Sequence, residues 1–285
     1  MKVLLLGAGG QVGRAIQQQC PAEHCVISRT HSDVDITNPN VLQKLLEGHA
    51  LDWVVNAAAY TAVDLAEVEQ DAARLVNDTA VAALSKATVA VGCRLLHFST
   101  DFVFDGATGT PYKPDSQTNP LCVYGRTKLA GEHHVRHQTH DGIVLRTAWI
   151  YAARGQNFLR TMLRLMQDRD EIKVVRDQIG TPTAATSAAV AAWSLMTGNA
   201  PGGIYHWTDD GVASWYDFAV AIQEEALERG LLLREIPIQP ISARDYAARA
   251  IRPAFSVLNT DSTRQIAALP PRHWRHSLRA VLNEL

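Results

Sequence analysis

Over the first half of the chain, short, mainly apolar runs alternate with longer stretches whose apolar residues recur at helical spacing. The runs are Val3 to Leu6, Cys25 to Ser28, Trp53 to Asn56, Leu95 to Ser99 and Ile143 to Thr147. A strand with one wet face would alternate apolar and polar positions. These runs do not, so each is predicted to be buried on both faces. Helices between successive strands of this kind make right-handed strand-helix-strand crossovers, which predicts an α/β fold on a doubly wound parallel sheet.

After Thr147 the pattern changes. Phe158 to Met166 has helical spacing, Lys173 to Arg176 reads as a short strand, and Asp177 to Thr183 as a loop stiffened by Pro182. Alanine-rich Ser187 to Met196 is helical again. An amphipathic helix near Ser214 to Arg229, a proline-punctuated stretch from Ile236 to Pro253 and a last helix near Trp274 to Leu285 complete the chain. With no internal repeat or linker, the expected division is a first domain over 1–150, completed by parts of 180–210. A smaller C-terminal lobe from 151–179 and 211–285 would then pack on the carboxyl edge of the sheet, where open α/β sheets bind ligands.

Composition narrows the classes. In a chain of 285 residues, an apolar share of 47%, a charged share of 20% and a formal net charge of -2 describe an ordinary globular protein, with no positive excess to attract nucleic acid. The first apolar run meets Gly7 too soon for a signal peptide or a membrane span. Cys20, Cys25, Cys93 and Cys122 lack metal-ligand spacing and read as reduced thiols of a cytoplasmic protein.

Candidate chemistry begins where the first strand ends, at Gly7-Ala8-Gly9-Gly10-Gln11-Val12-Gly13. Glycine permits a tight turn and close approach to a pyrophosphate, and the free amides and dipole of the next helix attract the anion. A plain strand-to-helix turn is the alternative; placement between an N-terminal strand and a helix favours a Rossmann-type nucleotide site at Gly7, Gly10, Gln11, Val12 and Gly13. At the end of the second strand, Arg29 stands where an acidic residue would hold the ribose of NAD. A guanidinium there suits a 2′-phosphate, which predicts NADPH, with NADH as second choice and a simple surface arginine as the alternative.

The strand Leu95 to Ser99 runs into Thr100-Asp101, and Tyr124-Gly125-Arg126-Thr127-Lys128 opens a predicted helix. Residues four apart share a helix face, so the Lys128 ammonium is expected near the Tyr124 phenol, stabilising its ionised form. A free tyrosine titrates near about 10, too high for efficient proton exchange near neutrality without a nearby cation. Thr100, at the carboxyl end of a central strand, is expected to donate to a substrate carbonyl oxygen. The spacing Tyr-x-x-x-Lys occurs in many helices; joined to the glycine turn and the strand-end hydroxyl it suits hydride transfer.

The glycine spacing is similar to the G-x-x-G-x-x-G turn of short-chain dehydrogenases. With Val55 to Asp64, Ser99 to Phe104, Tyr124 to Glu132, Arg146 to Trp149, Asn157 to Arg164, Asp177 to Thr183 and Arg252-Pro253, the chain resembles the dTDP-4-dehydrorhamnose reductase family of extended short-chain dehydrogenases. The resemblance implies NADPH-dependent reduction of the C4 ketone of dTDP-4-dehydro-L-rhamnose to dTDP-L-rhamnose, with Tyr124 as proton donor. It implies that Asp35 and Ile36 lie beside the adenine, that Ala58, Ala59, Tyr60 and Thr61 line the cofactor cleft, and that Thr100, Asp101 and Trp149 contact the sugar. Some members place an acidic residue in the first helix for a metal at a dimer contact. Ala15 stands there in this chain, so a metal-bridged dimer is not expected, and monomer or homodimer stays open.

Other readings are weighed against this one. Glu132, His133, His134, His137 and His140 could form a metal cluster, but a solvated helix face explains them with no metal. Trp215, Tyr216 and Phe218 read as packing aromatics. A sugar-nucleotide epimerase or dehydratase would share Tyr124 and Lys128, yet a dehydratase needs a second acid where Phe102 follows Asp101. Another 4-keto-6-deoxysugar, or a non-catalytic NADP-binding regulatory subunit, is the remaining alternative.

Overall fold

The computed structural model describes residues 1–139 and 141–285. Strands β1 (Lys2–Leu6), β2 (Cys25–Arg29), β3 (Trp53–Asn56), β4 (Arg94–Thr100) and β5 (Ile143–Thr147) form where the apolar runs predict them. A further strand, Gly203–His206, adds to β5, and every pairing in the sheet is parallel. The order is Gly203–His206, β5, β4, β3, β1, β2. Chain order therefore reverses between β1 and β3, and the crevice at such a switch point is where doubly wound sheets bind ligands.

Both faces of the central strands are dry. Val3, Leu5, Val55, Leu96 and Leu145 pack on one side against α1 (Gln11–Gln18) and the helix Ala185–Thr197. Leu4, Leu6, Val54, Leu95 and Val144 pack on the other against the helices Pro39–Glu47 and Ala80–Val91. The alternation is the pleat itself. β2 departs from the expectation of full burial: it is the edge strand, and its residues are half-buried or exposed.

The later residues build their own apolar cluster from the helices Phe158–Asp168, Trp215–Glu228 and Trp274–Leu282. Ser214 caps the second of these, its hydroxyl accepting from Asp217 N while the Asp217 carboxylate accepts from Ser214 N. The proline-punctuated stretch is less irregular than its sequence suggests: Ile238–Ile241 pairs in parallel with Ile172–Val175. Pro240 is tolerated because the pair has only edges. The loop 177–183 likewise contains the two-residue strand Ile179–Gly180 and ends in another, Thr183–Ala184. The last helix stops at Leu282, with Asn283 as its cap. Among the described residues no helix is long and apolar enough to cross a membrane.

Candidate active site

The site begins with how the glycine turn is packed. Gly7 has φ +79°, and a Cβ on it would come 2.5 Å from Ala58 N, so only glycine lets the β1 turn lie against the end of β3. Gly13 lies beneath the turn, where a Cβ would come 2.2 Å from Gly7 O. Gly10 caps α1 without any side-chain hydrogen bond. The first amides of α1 are thus left without an intrahelical partner, beside a cleft lined by Gly9, Gly10, Gln11 and Val12.

Two clefts meet at Gly9, Gly10, Ala57 and Ala59. The smaller, of about 390 Å³, is walled by Gly7, Arg29, Asp35, Ile36, Ala58 and Tyr60 among others. The larger, of about 670 Å³, holds Thr61, Thr100, Asp101, Tyr124, Lys128 and Trp149. Every sequence-predicted site residue except Gly13 therefore borders one continuous trough. Arg154, Trp215 and Arg252 also line it, and they were not among the predicted site residues. They come from the later part of the chain, and no local spacing connects them to the strand ends.

Tyr124 is positioned by the helix Val123–Gln138. Its first turn sits directly on the turn after β4, where a Cβ at Gly125 would meet Phe102 O at 2.2 Å. Asn77, from a π-helical turn, brackets Tyr60 by accepting from Tyr60 N at 2.9 Å and donating to Tyr60 O at 3.1 Å. It also donates to Thr127 on the Tyr124 helix at 3.2 Å.

Burial pushes the Tyr124 phenol above its ordinary range; the Thr100 hydroxyl beside it works the other way, and Asp101 and Cys122 add to the rise. The expected depression by Lys128 is not seen. The lysine nitrogen instead donates to Phe98 O at 2.7 Å and lies 3.2 Å from His97 Nε2. Burial lowers Lys128 to about 8, against an opposing pull from Glu132. Thr100 Oγ1 donates to Asp101 Oδ1 at 3.1 Å, and burial raises Asp101 to about 6 although Ser256 and Thr100 bond to it.

Beneath Thr100 lies a dry ion pair. Glu132, one turn beyond Lys128, accepts from Arg146 Nε at 2.9 Å and Nη2 at 2.7 Å, and Ser99 Oγ bonds to the same carboxylate. Both charged side chains are almost fully buried, at 1% and 2% exposure, so the pair survives only because each partner neutralises the other.

Trp149 stands at φ +50°, unusual for a bulky residue, and stacks on Trp215 with centroids 3.6 Å apart and planes 4° from parallel. Trp215 is therefore a cleft residue as well as a packing one; Phe218 alone of the three aromatics is fully buried. Arg252, on the wall of the larger cleft, pairs with Asp64 at 2.6 Å.

His133 and His137 are exposed, His134 bonds to Asp78 at 2.7 Å, and His140 lies outside the described residues. No group of three His, Cys, Asp or Glu among the described residues is placed to hold a metal.

The family model described as RmlD substrate binding domain matches residues 1–285. The chain belongs to this RmlD family. A dTDP-4-dehydrorhamnose reductase of Burkholderia thailandensis is 40% identical to it over 295 residues, covering 100% of this chain and 99% of that protein. Spore coat polysaccharide biosynthesis protein SpsK of Bacillus subtilis is 38% identical over 284 residues, covering 99% and 97%. The crystal structure of dTDP-4-dehydrorhamnose reductase from Bacillus anthracis in complex with NADP superposes with TM-score 0.94 at 31% identity, covering 100% of this RmlD-family chain and 99% of that one.

Proposed function

We propose that this protein is a cytoplasmic NADPH-dependent reductase that converts dTDP-4-dehydro-L-rhamnose to dTDP-L-rhamnose, with Tyr124 as general acid. The observation that carries the reading is the single trough joining the Arg29 and Asp35 end, through the glycine turn, to Thr100, Tyr124 and Trp149. The uncapped amides of α1 fit a pyrophosphate, and the Arg29 guanidinium fits a 2′-phosphate. Residues 1–150 with parts of 180–210 serve the cofactor, and 151–179 with 211–285 serve the sugar nucleotide.

A bound nicotinamide supplies the hydride. The chain's own residues then handle charge and protons: Thr100 and Tyr124 orient the ketone oxygen, and the phenol hands its proton to the alkoxide as it forms. Trp149, braced by Trp215, holds the hexose against the reacting face. Purified protein mixed with NADPH and dTDP-4-dehydro-L-rhamnose is expected to consume the absorbance of the reduced cofactor. Folded protein that binds NADPH yet leaves every nucleotide-linked keto-sugar intact would turn the reading toward a regulatory subunit.

Cofactor choice has its own test. Arg29→Asp removes a charge-assisted contact worth about 1.5–3 kcal/mol, so the ratio of kcat/KM for NADPH over NADH is expected to fall by about tenfold to a hundredfold. An unchanged ratio would mean that Arg29 does not touch the 2′-phosphate.

A further inference from the structure

Asn56 ends β3 and His97 lies opposite it on β4, both almost completely buried. Ala58 N donates to Asn56 Oδ1 at 3.1 Å. A backbone N–H can only donate, so the atom facing it is the amide oxygen, and the amide nitrogen is the one turned toward His97. That nitrogen stands 3.0 Å from His97 Nδ1. It too can only donate, so Nδ1 carries no proton. Burial, the largest cause, holds His97 well below its ordinary pKa without needing a charge on Lys128, so the ring is neutral and its one proton sits on Nε2. Nε2 faces Lys128 Nζ at 3.2 Å. An N–H aimed there finds a lone pair only if the lysine is an amine, because an ammonium has three donors and no acceptor.

We propose that Asn56, acting through His97, is a positioning residue that poises Lys128 toward its amine form by fixing the imidazole as the Nε2–H tautomer. The alternative arrangement is costly. To let an ammonium donate to Nε2, the imidazole proton must move to Nδ1 and Asn56 must turn its oxygen to receive it. Ala58 N–H then faces an amide nitrogen, and a half-buried donor loses its partner. The other titratable groups around Lys128 are Tyr124 and Glu132 on its own helix, Asp101 beyond β4, and Arg146 on β5, which neutralises Glu132.

For ketone reduction, which is where this inference rests on the proposed function, the arrangement changes when positive charge is present. A lysine near the balance point gains charge by taking up a proton from water in the cleft it lines as negative charge develops there. Its stabilisation then falls mainly on the alkoxide-like transition state, with less on the ground state.

The test reads the tautomer directly. Imidazole nitrogen shifts of 15N-labelled protein, with NADPH present, identify His97 as the signal lost in His97→Gln. The wild type is expected to show a protonated Nε2 and a bare Nδ1. In Asn56→Asp the carboxylate accepts from Nδ1–H and the tautomer reverses. Asn56→Ala, which adds no charge, releases the Nε2–H preference. The ammonium is lost as pH rises through about 8 in the wild type. The basic limb of kcat/KM should lie there and move up by about one pH unit or more in both variants.

A wild-type His97 protonated on Nδ1, or a folded Asn56→Asp with a reversed tautomer and an unmoved limb, overturns the inference. Failure of every form to reduce the keto-sugar, with the tautomer as expected in wild type and Asn56→Asp, refutes the substrate assignment and leaves the tautomer lock supported.

Discussion

Tyr124→Phe is expected to lower kcat for reduction of the keto-sugar by about 10²–10⁴-fold, the usual contribution of a positioned general acid, with NADPH affinity nearly unchanged. Burial keeps the phenol above its ordinary range, so it carries its proton throughout the neutral range and is present in the acid form. The ring is retained in the variant, so the edge-on contact with Phe102 survives and the helix start should not shift. Single-turnover absorbance and fluorescence titration with NADPH separate chemistry from binding. Near-normal turnover would move the acid role to another group, and Asp101, raised by burial to about 6, would be the first to examine.

The second large effect is on stability. Arg146→Met leaves the Glu132 carboxylate buried with the Ser99 hydroxyl as its remaining hydrogen-bond partner, and breaking one side of such a pair costs about 3–5 kcal/mol. Urea unfolding measures it. Glu132→Leu alone should be harmful for the mirror reason, whereas the double variant Glu132→Leu/Arg146→Met removes both charges and should be more stable than either single one. A loss under about 1 kcal/mol for Arg146→Met would mean that the carboxylate protonates or finds water at little cost. Because Ser99 precedes Thr100 and bonds to Glu132, surviving single variants should also show a disturbed strand end.

The parts of the fold legible in sequence were those with strong local causes. β1, β3, β4 and β5 announced themselves because a strand buried on both faces must be largely apolar, and the helix Trp215–Glu228 because its apolar residues recur at helical spacing. The strand Gly203–His206 is short and starts with glycine, so little in its composition marks it. Ile238–Ile241 hid behind Pro240, since its pairing with Ile172–Val175 depends on a partner far away in sequence.

The candidate site divides in the same way. The glycine turn and Tyr124 with Lys128 have fixed spacing on one element each. The surroundings of Lys128 do not: Asn56 and His97 come from neighbouring strands, and only the sheet register sets them side by side. Trp215 was readable as an aromatic but not as Trp149's stacking partner.

The sheet's last strand is also its last to be synthesised. On the ribosome, β5 emerges with its outer edge bare and must wait for 148–202 to follow before Gly203–His206 can cover it. A nascent chain halted in that interval presents a flat, apolar strand edge, the kind of template on which other chains pair. Truncations ending before His206 would carry the same exposed edge, so the boundary for a shortened cofactor domain cannot be drawn at Trp149 without supplying the missing strand.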